Sequence, residues 1–319
     1  MKTPRIRTRV VLGVGAAVLL ISLEGGAPGA PARAPAEQES PSWFEAKNVC
    51  VFRLGNGPMP ATAHELSDAM ERGFSRAVTF PDPKNVVKVE HAAFPSIGMV
   101  RVNLSDARMK PSARNDGEIQ LNNKVENVVR VGKLEVHADP FLVRDAKWHM
   151  NLNVENAKML LERDGTGRPA MMLQDATAGT INMEVRVEDI EMLMLQDSRE
   201  GLARFRVDVD DVSLNVVAET PRSVQVELHL AMEVALVPAG ITFKGHIAVD
   251  DQMNAKVSGM SVEGDDVLGP LIAEFMRPQI VKHNNETRPL VTFPSPRMKL
   301  KDVKFKAGES LRMEASFGY

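Results

Sequence analysis

An α+β fold with a large, curved, mostly antiparallel β-sheet wrapped around one or two long amphipathic helices is the architecture this sequence predicts. Three observations predict it. Apolar and polar residues alternate over long stretches, most persistently over residues 204–257, the signature of antiparallel strands with one buried and one wet face. Two stretches, 62–78 and 265–283, switch to helical spacing. Helices and strands fall into separate runs instead of alternating one for one, which favours α+β over a parallel α/β sheet.

The amino terminus reads as an address rather than as part of the fold. Lys2, Arg5, Arg7 and Arg9 precede an almost unbroken apolar run, Val10 to Leu23, and Ala30-Pro31-Ala32 follows. These are the three regions of a secretory signal, and the run is shorter than the ~20 residues of a membrane span. The expected division is 1–32 as signal peptide or uncleaved anchor, 33–60 as a Pro/Ala-rich tether and irregular lead-in, and 61–319 as a single domain. The expected location is outside the cytoplasm, in the periplasm or cell envelope.

Within the body, Val49, Val51 and Leu54 suggest a short strand, with a turn over 55–60. Thr62 can cap the first helix, with Glu65 in capping-box position and Leu66, Met70 and Phe74 on one face. Strands are expected around Val86, Val87 and Val89, over 99–109, briefly over 118–121, and over 125–136, where Pro140 follows as a breaker. Further strands are expected over 148–154, through 171–173 after the turn at 163–167, and over 180–187. Residues 188–198 take helical spacing, with Gly201 as a stop. In the long alternating stretch, Phe205, Val207 and Val209 are followed by a one-residue phase change to Val212, Leu214 and Val216. Turns are expected at Thr220-Pro221 and at Pro238-Ala239-Gly240. In the helix over 265–283, Asp265 or Asp266 can cap, and Leu268, Leu271, Ile272, Phe275 and Met276 form an apolar stripe. Pro278 is expected to kink or break it. A hairpin over 298–305 and 311–317 closes the chain.

Composition excludes several functions. The net charge is −3 and most of the basic excess sits before residue 10, so the body lacks the basic face that nucleic acid requires. The single cysteine, Cys50, allows no intramolecular disulfide. The seven histidines fall in no HxH or HxxxH spacing, so no zinc signature is present, and His229 and His246 fall on the wet face of their strands. Asp208, Asp210 and Asp211 read as a solvated strand face rather than a calcium site. No glycine-rich phosphate loop lies in the body and no Gly-x-Ser-x-Gly elbow is present. Aromatics make up 5% of the chain while methionines number 18. Methionine is flexible and fills irregular apolar space, such as that around an acyl chain or in an ordinary core.

Phe94-Pro95 leading into 99–109, the strand-to-helix passage 183–195, and the carboxy-terminal hairpin Met298-Lys-Leu-Lys-Asp-Val-Lys-Phe with 311–317 together resemble a bacterial tubular lipid-binding protein of the TULIP superfamily, in the style of the LmeA-like phospholipid-binding family. The resemblance covers 62–319 in pattern and order of elements. It implies a curved sheet around a long helix enclosing an apolar groove for phospholipid acyl chains, and it carries over no catalytic residues. Pro278 and the extra length before Thr62 depart from it.

The expectation is therefore an exported, non-enzymatic lipid-binding or lipid-transfer protein of the cell envelope, needing no cofactor and no metal. Its groove is expected to be lined by Leu66, Met70, Phe74, Leu271, Phe275 and Met276. Its partner is expected to be a phospholipid or other acyl-chain lipid, with a membrane surface as a second candidate. A structural or interaction module with a fully packed sheet is the alternative. An exported hydrolase, with two acids brought into one cleft by the fold, is the third reading.

Overall fold

The computed structural model describes residues 51–82, 86–111, 121, 124–203 and 207–319. The expected leader and tether, Val49, Cys50, Phe205 and residues 118–120 of an expected strand lie outside these. In chain order the elements are β1 (Val51–Arg53), α1 (Ala63–Ala77), β2 (Val78–Thr79), β3 (Val87–Ala93), β4 (Ser96–Asn103), β5 (Arg108–Met109), β6 (Asn127–Val143), β7 (Ala146–Arg163), β8 (Pro169–Asp175), β9 (Ala178–Arg186) and α2 (Val187–Leu202). They continue with β10 (Val207–Thr220), β11 (Ser223–Val234), β12 (Val237–Val249), β13 (Asn254–Asp266), α3 (Gly269–His283), β14 (Thr287–Pro289), β15 (Lys299–Lys306) and β16 (Ser310–Gly318).

The expected α+β composition is present, but the strands form two sheets, not one. The larger has eleven described strands and runs β15-β16-β9-β7-β6-β4-β3, with β1, β2, β5 and β8 at its margins. It is antiparallel except where β4 and β5 meet β6. The smaller is the meander β10-β11-β12-β13-β14. The phase change expected after Val209 is a register shift between Val209 and Asp211: one extra residue in the strand resets which positions face the core.

The α1 helix follows from local chemistry. Thr62 Oγ1 accepts the Glu65 N–H at 3.1 Å, and the Glu65 carboxylate accepts the Ala61 N–H at 2.7 Å. These contacts satisfy donors that a helix start otherwise leaves open. Leu66, Ala69, Met70 and Gly73 are buried, and a Cβ on Gly73 would lie 2.2 Å from the Arg53 carbonyl oxygen, so the helix sits directly on β1. The β7–β8 hairpin is pinned to β1 by Asp164, which is 1% exposed. Asp164 accepts the Thr166 hydroxyl at 2.6 Å, the N–H groups of Thr166 and Arg168 at 2.9 and 3.0 Å, and Arg53 Nε at 3.2 Å. Burial alone would raise its pKa, but these donors and the Arg53 charge outweigh it and hold the carboxyl below its ordinary range.

Several boundaries differ from expectation. Pro140 does not end its strand; it lies inside β6 at a register shift between Ala138 and Phe141, where an unpaired proline nitrogen costs no ladder bond. Gly201 is inside α2, which ends at Leu202. The turn between β11 and β12 is Ala235-Leu236, both with positive φ, and Pro238-Ala239-Gly240 lies within β12. Leu236, to which the alternation from Val224 was expected to run, is therefore at a turn tip. Asp265 and Asp266 belong to β13 instead of capping a helix, and α3 begins at Gly269, with Leu268 as an N-cap that makes no side-chain hydrogen bond. Pro278 is accommodated within α3.

Candidate functional site

The strongest candidate site is the inner face of the large sheet. In β7, Trp148, Met150, Leu152 and Val154 point to one side, opposite Val185, Met183, Ile181 and Gly179 of β9. In β16, Leu311, Met313, Ala315 and Phe317 continue the same rows, and on the other flank Val136 and Leu134 of β6 do so. The alternate positions, among them Lys147, Asn151, Glu155, Asn182 and Arg312, face water. That outer face carries cross-strand pairs such as Arg101 with Glu135 at 2.9 Å and Arg312 with Glu184 at 2.9 Å. The Lys133 and Arg101 cations hold the Glu135 carboxyl below its ordinary range.

Three apolar clusters cover the inner face. One lies under α2, α3 and the smaller sheet, around Trp148, Val185, Leu193, Phe243 and Met276. The second lies under α1, around Leu66, Met70, Val100, Val129 and Val154. The third joins Val249 of the smaller sheet and Met253 of its β12–β13 turn to Val303 and Met313. They meet over the middle of the face: Phe141 packs against the first two, Met183 against the first and third, and Leu300 against the second and third. At that junction Val136, Met150, Leu152, Ile181 and Met183 are only half-buried, while their neighbours along the same rows, Trp148, Val154, Val185 and Met313, are closed off. The result is an apolar strip carrying two methionines, partly exposed between the three clusters, with Phe141, Leu300 and Leu311 equally accessible at its edges.

Polar contacts hold the layers over this strip. Arg222, in the β10–β11 turn, reaches Asp302 of β15 at 2.9 Å and Asp251 at 2.9 Å, and the Phe305 N–H donates to the Pro221 carbonyl at 2.7 Å. The Arg222 hydrogen bond holds the Asp302 carboxyl below its ordinary range. Arg144, between β6 and β7, reaches Asp197 of α2 at 2.6 Å.

The six residues expected to line one groove are not brought together. Leu66, Met70 and Phe74 belong to the cluster under α1, and Met276 to the cluster under α3. Leu271 and Phe275 point away from the interior, 70% and 72% exposed. The reason is steric. A Cβ on Gly264 would lie 2.0 Å from the Gly269 carbonyl oxygen, and one on Gly269 would lie 2.3 Å from that of Gly240. The helix thus enters over a glycine contact and turns the side bearing Gly269, Ala273, Met276 and Ile280 inward. Leu271, Phe275 and Val281 are left outside. The missed signal was this small-residue spacing, matched by Gly240 and Gly264 on the strands beneath.

Among the described residues no three of His, Cys, Asp and Glu come together as a metal site. His229 and His246 are half-buried, hydrogen-bonded to Thr242 at 3.0 Å and Ser258 at 3.3 Å. No helix among the described residues is long and apolar enough to cross a membrane. Compared with known proteins, the chain matches no family model, no curated protein and no solved structure.

Proposed function

We propose that this chain is an exported, non-enzymatic lipid-binding or lipid-transfer protein of the cell envelope, and that the strip Val136–Met150–Leu152–Ile181–Met183 receives an acyl chain. In this reading the eleven-stranded sheet curves over its helices, and the strip is the floor of the groove. The single observation that carries it is the partial exposure of five adjacent apolar side chains where the three packed clusters meet on the inner face. Water in contact with such a strip is displaced favourably by hydrocarbon, at about 25 cal/mol per Å². The strip's two methionines can reshape around chains of different length. The leader-like residues 1–32 support the placement in the envelope. Full burial of Leu66, Met70 and Met276 favours the second reading, a packed structural module.

Native mass spectrometry of the protein purified without detergent, followed by organic extraction, separates the two. The lipid reading predicts a co-purifying lipid, or uptake from phosphatidylcholine vesicles, and its loss in Leu152→Trp with the melting temperature held within a few degrees. A wild-type protein that carries no lipid and takes none up would leave the structural module.

A further inference from the structure

We infer that α3 is the interface of a symmetric dimer, formed by two copies of this chain packing their α3 helices antiparallel. The inference does not depend on lipid binding. Leu271, Phe275, Pro278 and Val281 follow one another at helical spacing along the outward side of α3, and Val267 lies in the turn just before it. Val267, Leu271, Phe275 and Val281 are among the most exposed large apolar residues described, and Leu236 joins them at 88%. Leu236 is placed there by its turn: the Leu268 N–H donates to the Pro238 carbonyl, so the β11–β12 tip sits beside the start of α3. That two-residue turn has Ala235 and Leu236 at φ of 50° and 69°. Glycine or asparagine is the ordinary choice there, because side chains with a Cβ are strained at positive φ. A strained backbone that presents a leucine to solvent extends the ridge.

The charge border selects a second copy over other occupants. Glu274 and Arg277 lie to the same side of the line Leu271–Phe275–Pro278, the side that also carries Val281, and pair with each other. When two such helices pack face to face and antiparallel about a two-fold axis near Phe275, the same flanks meet. Glu274 of one copy then faces Arg277 of the other, and the reverse pair forms by symmetry, as an isologous interface requires. An anionic bilayer would instead call for a basic collar, whereas Asp265 and Asp266 border the amino-terminal end of the ridge.

The test is sedimentation velocity on the full-length chain and four variants, with circular dichroism to confirm the fold. Wild type is expected to self-associate. Phe275→Asp and Leu271→Asp, both at exposed positions, are expected to weaken the dimer by about thirtyfold or more. Glu274→Arg and Arg277→Glu are each expected to weaken it by about three- to tenfold, and an equimolar mixture of the two to associate as well as wild type, because opposite charges again face each other across the axis. A purely intrahelical role for the pair would leave the mixture like its components. A monomeric wild type, a dimer indifferent to Phe275→Asp, or a mixture no tighter than its components would overturn the proposal. So would a monomer that floats with phosphatidylcholine vesicles through Phe275, which would assign the ridge to a membrane.

Discussion

The first and third helices have the same length, fifteen residues each, and both carry large apolar residues at helical spacing, yet they are used in opposite ways. In α1 the large residues Leu66 and Met70 are buried, and a hydroxyl and a carboxylate close its first turn. In α3 the first turn has no side-chain cap, a glycine contact sets the approach, and Leu271 and Phe275 are left in solvent. The lesson is that the buried face of a helix is chosen by how near its backbone must come to the sheet. Both helices approach a strand over a glycine, Gly73 against Arg53 in α1 and Gly269 against Gly240 in α3; in α3 the contact falls at the first turn and sets Ala273, Met276 and Ile280 on the buried side.

The comparison is broken most severely at the glycine contact. Gly264→Ala is expected to destabilise the protein by about 3 kcal/mol, since overpacking a closed backbone contact leaves no side chain to move aside. Gly201→Ala, inside α2 with nothing within 4 Å of its Cβ, is expected to stabilise by about 0.5–1 kcal/mol. Urea unfolding of both would show opposite signs.

Within α3 itself, Met276→Ala is expected to cost about 2–4 kcal/mol, as cavity formation does in a closed core. Leu271→Ala, one turn away on the outer side, is expected to stay within about 0.5 kcal/mol for the monomer. Leu66→Ala in α1 should behave like Met276→Ala. Equal costs at 271 and 276 would mean that α3 is seated the other way round. Thr62→Ala sharpens the contrast at the helix starts, with an expected loss of about 1 kcal/mol in thermal or urea unfolding.

The smallest effect concerns the contact that joins the two sheets. Asp302 has its pKa lowered by Arg222, so its contribution is fully present above the unfolded carboxyl value of about 3.9 and is lost as pH falls through the lower folded value. The stability difference between wild type and Asp302→Asn is therefore expected to be constant from neutral pH down to about 5. Below about 4 the two should converge. A difference that grows on acidification would contradict the assigned contact.

Much of this fold was legible in the alternation of the strands. The positions of Val207 to Val216, the phase change between Val209 and Asp211 and the closing hairpin follow from period two alone, and α1 follows from Thr62 and Glu65. The division into two sheets was not legible, because alternation says which side of a strand is buried and nothing about which strand lies beside it. Pro140 misled because a bulge can absorb a proline that a regular ladder cannot. The six residues expected in one groove were chosen by apolar size on the helices, and nothing in the spacing of Leu271 and Phe275 shows that they face outward; Met150, Leu152 and Met183 stood in the alternating rows throughout. The orientation of α3 was carried by Gly240, Gly264, Gly269 and Ala273, residues that a search for large apolar side chains passes over.

The central claim, that the middle of the large sheet's inner face is an open acyl-chain strip while the large face of α3 is not part of it, is tested most directly by photo-crosslinking. Phosphatidylcholine bearing a diazirine on its acyl chain would be presented in vesicles and the labelled residues mapped by mass spectrometry. The account predicts label on β7 and β9, at Met150, Leu152, Ile181 and Met183. Label confined to Leu271 and Phe275, or no label on the chain, would contradict it.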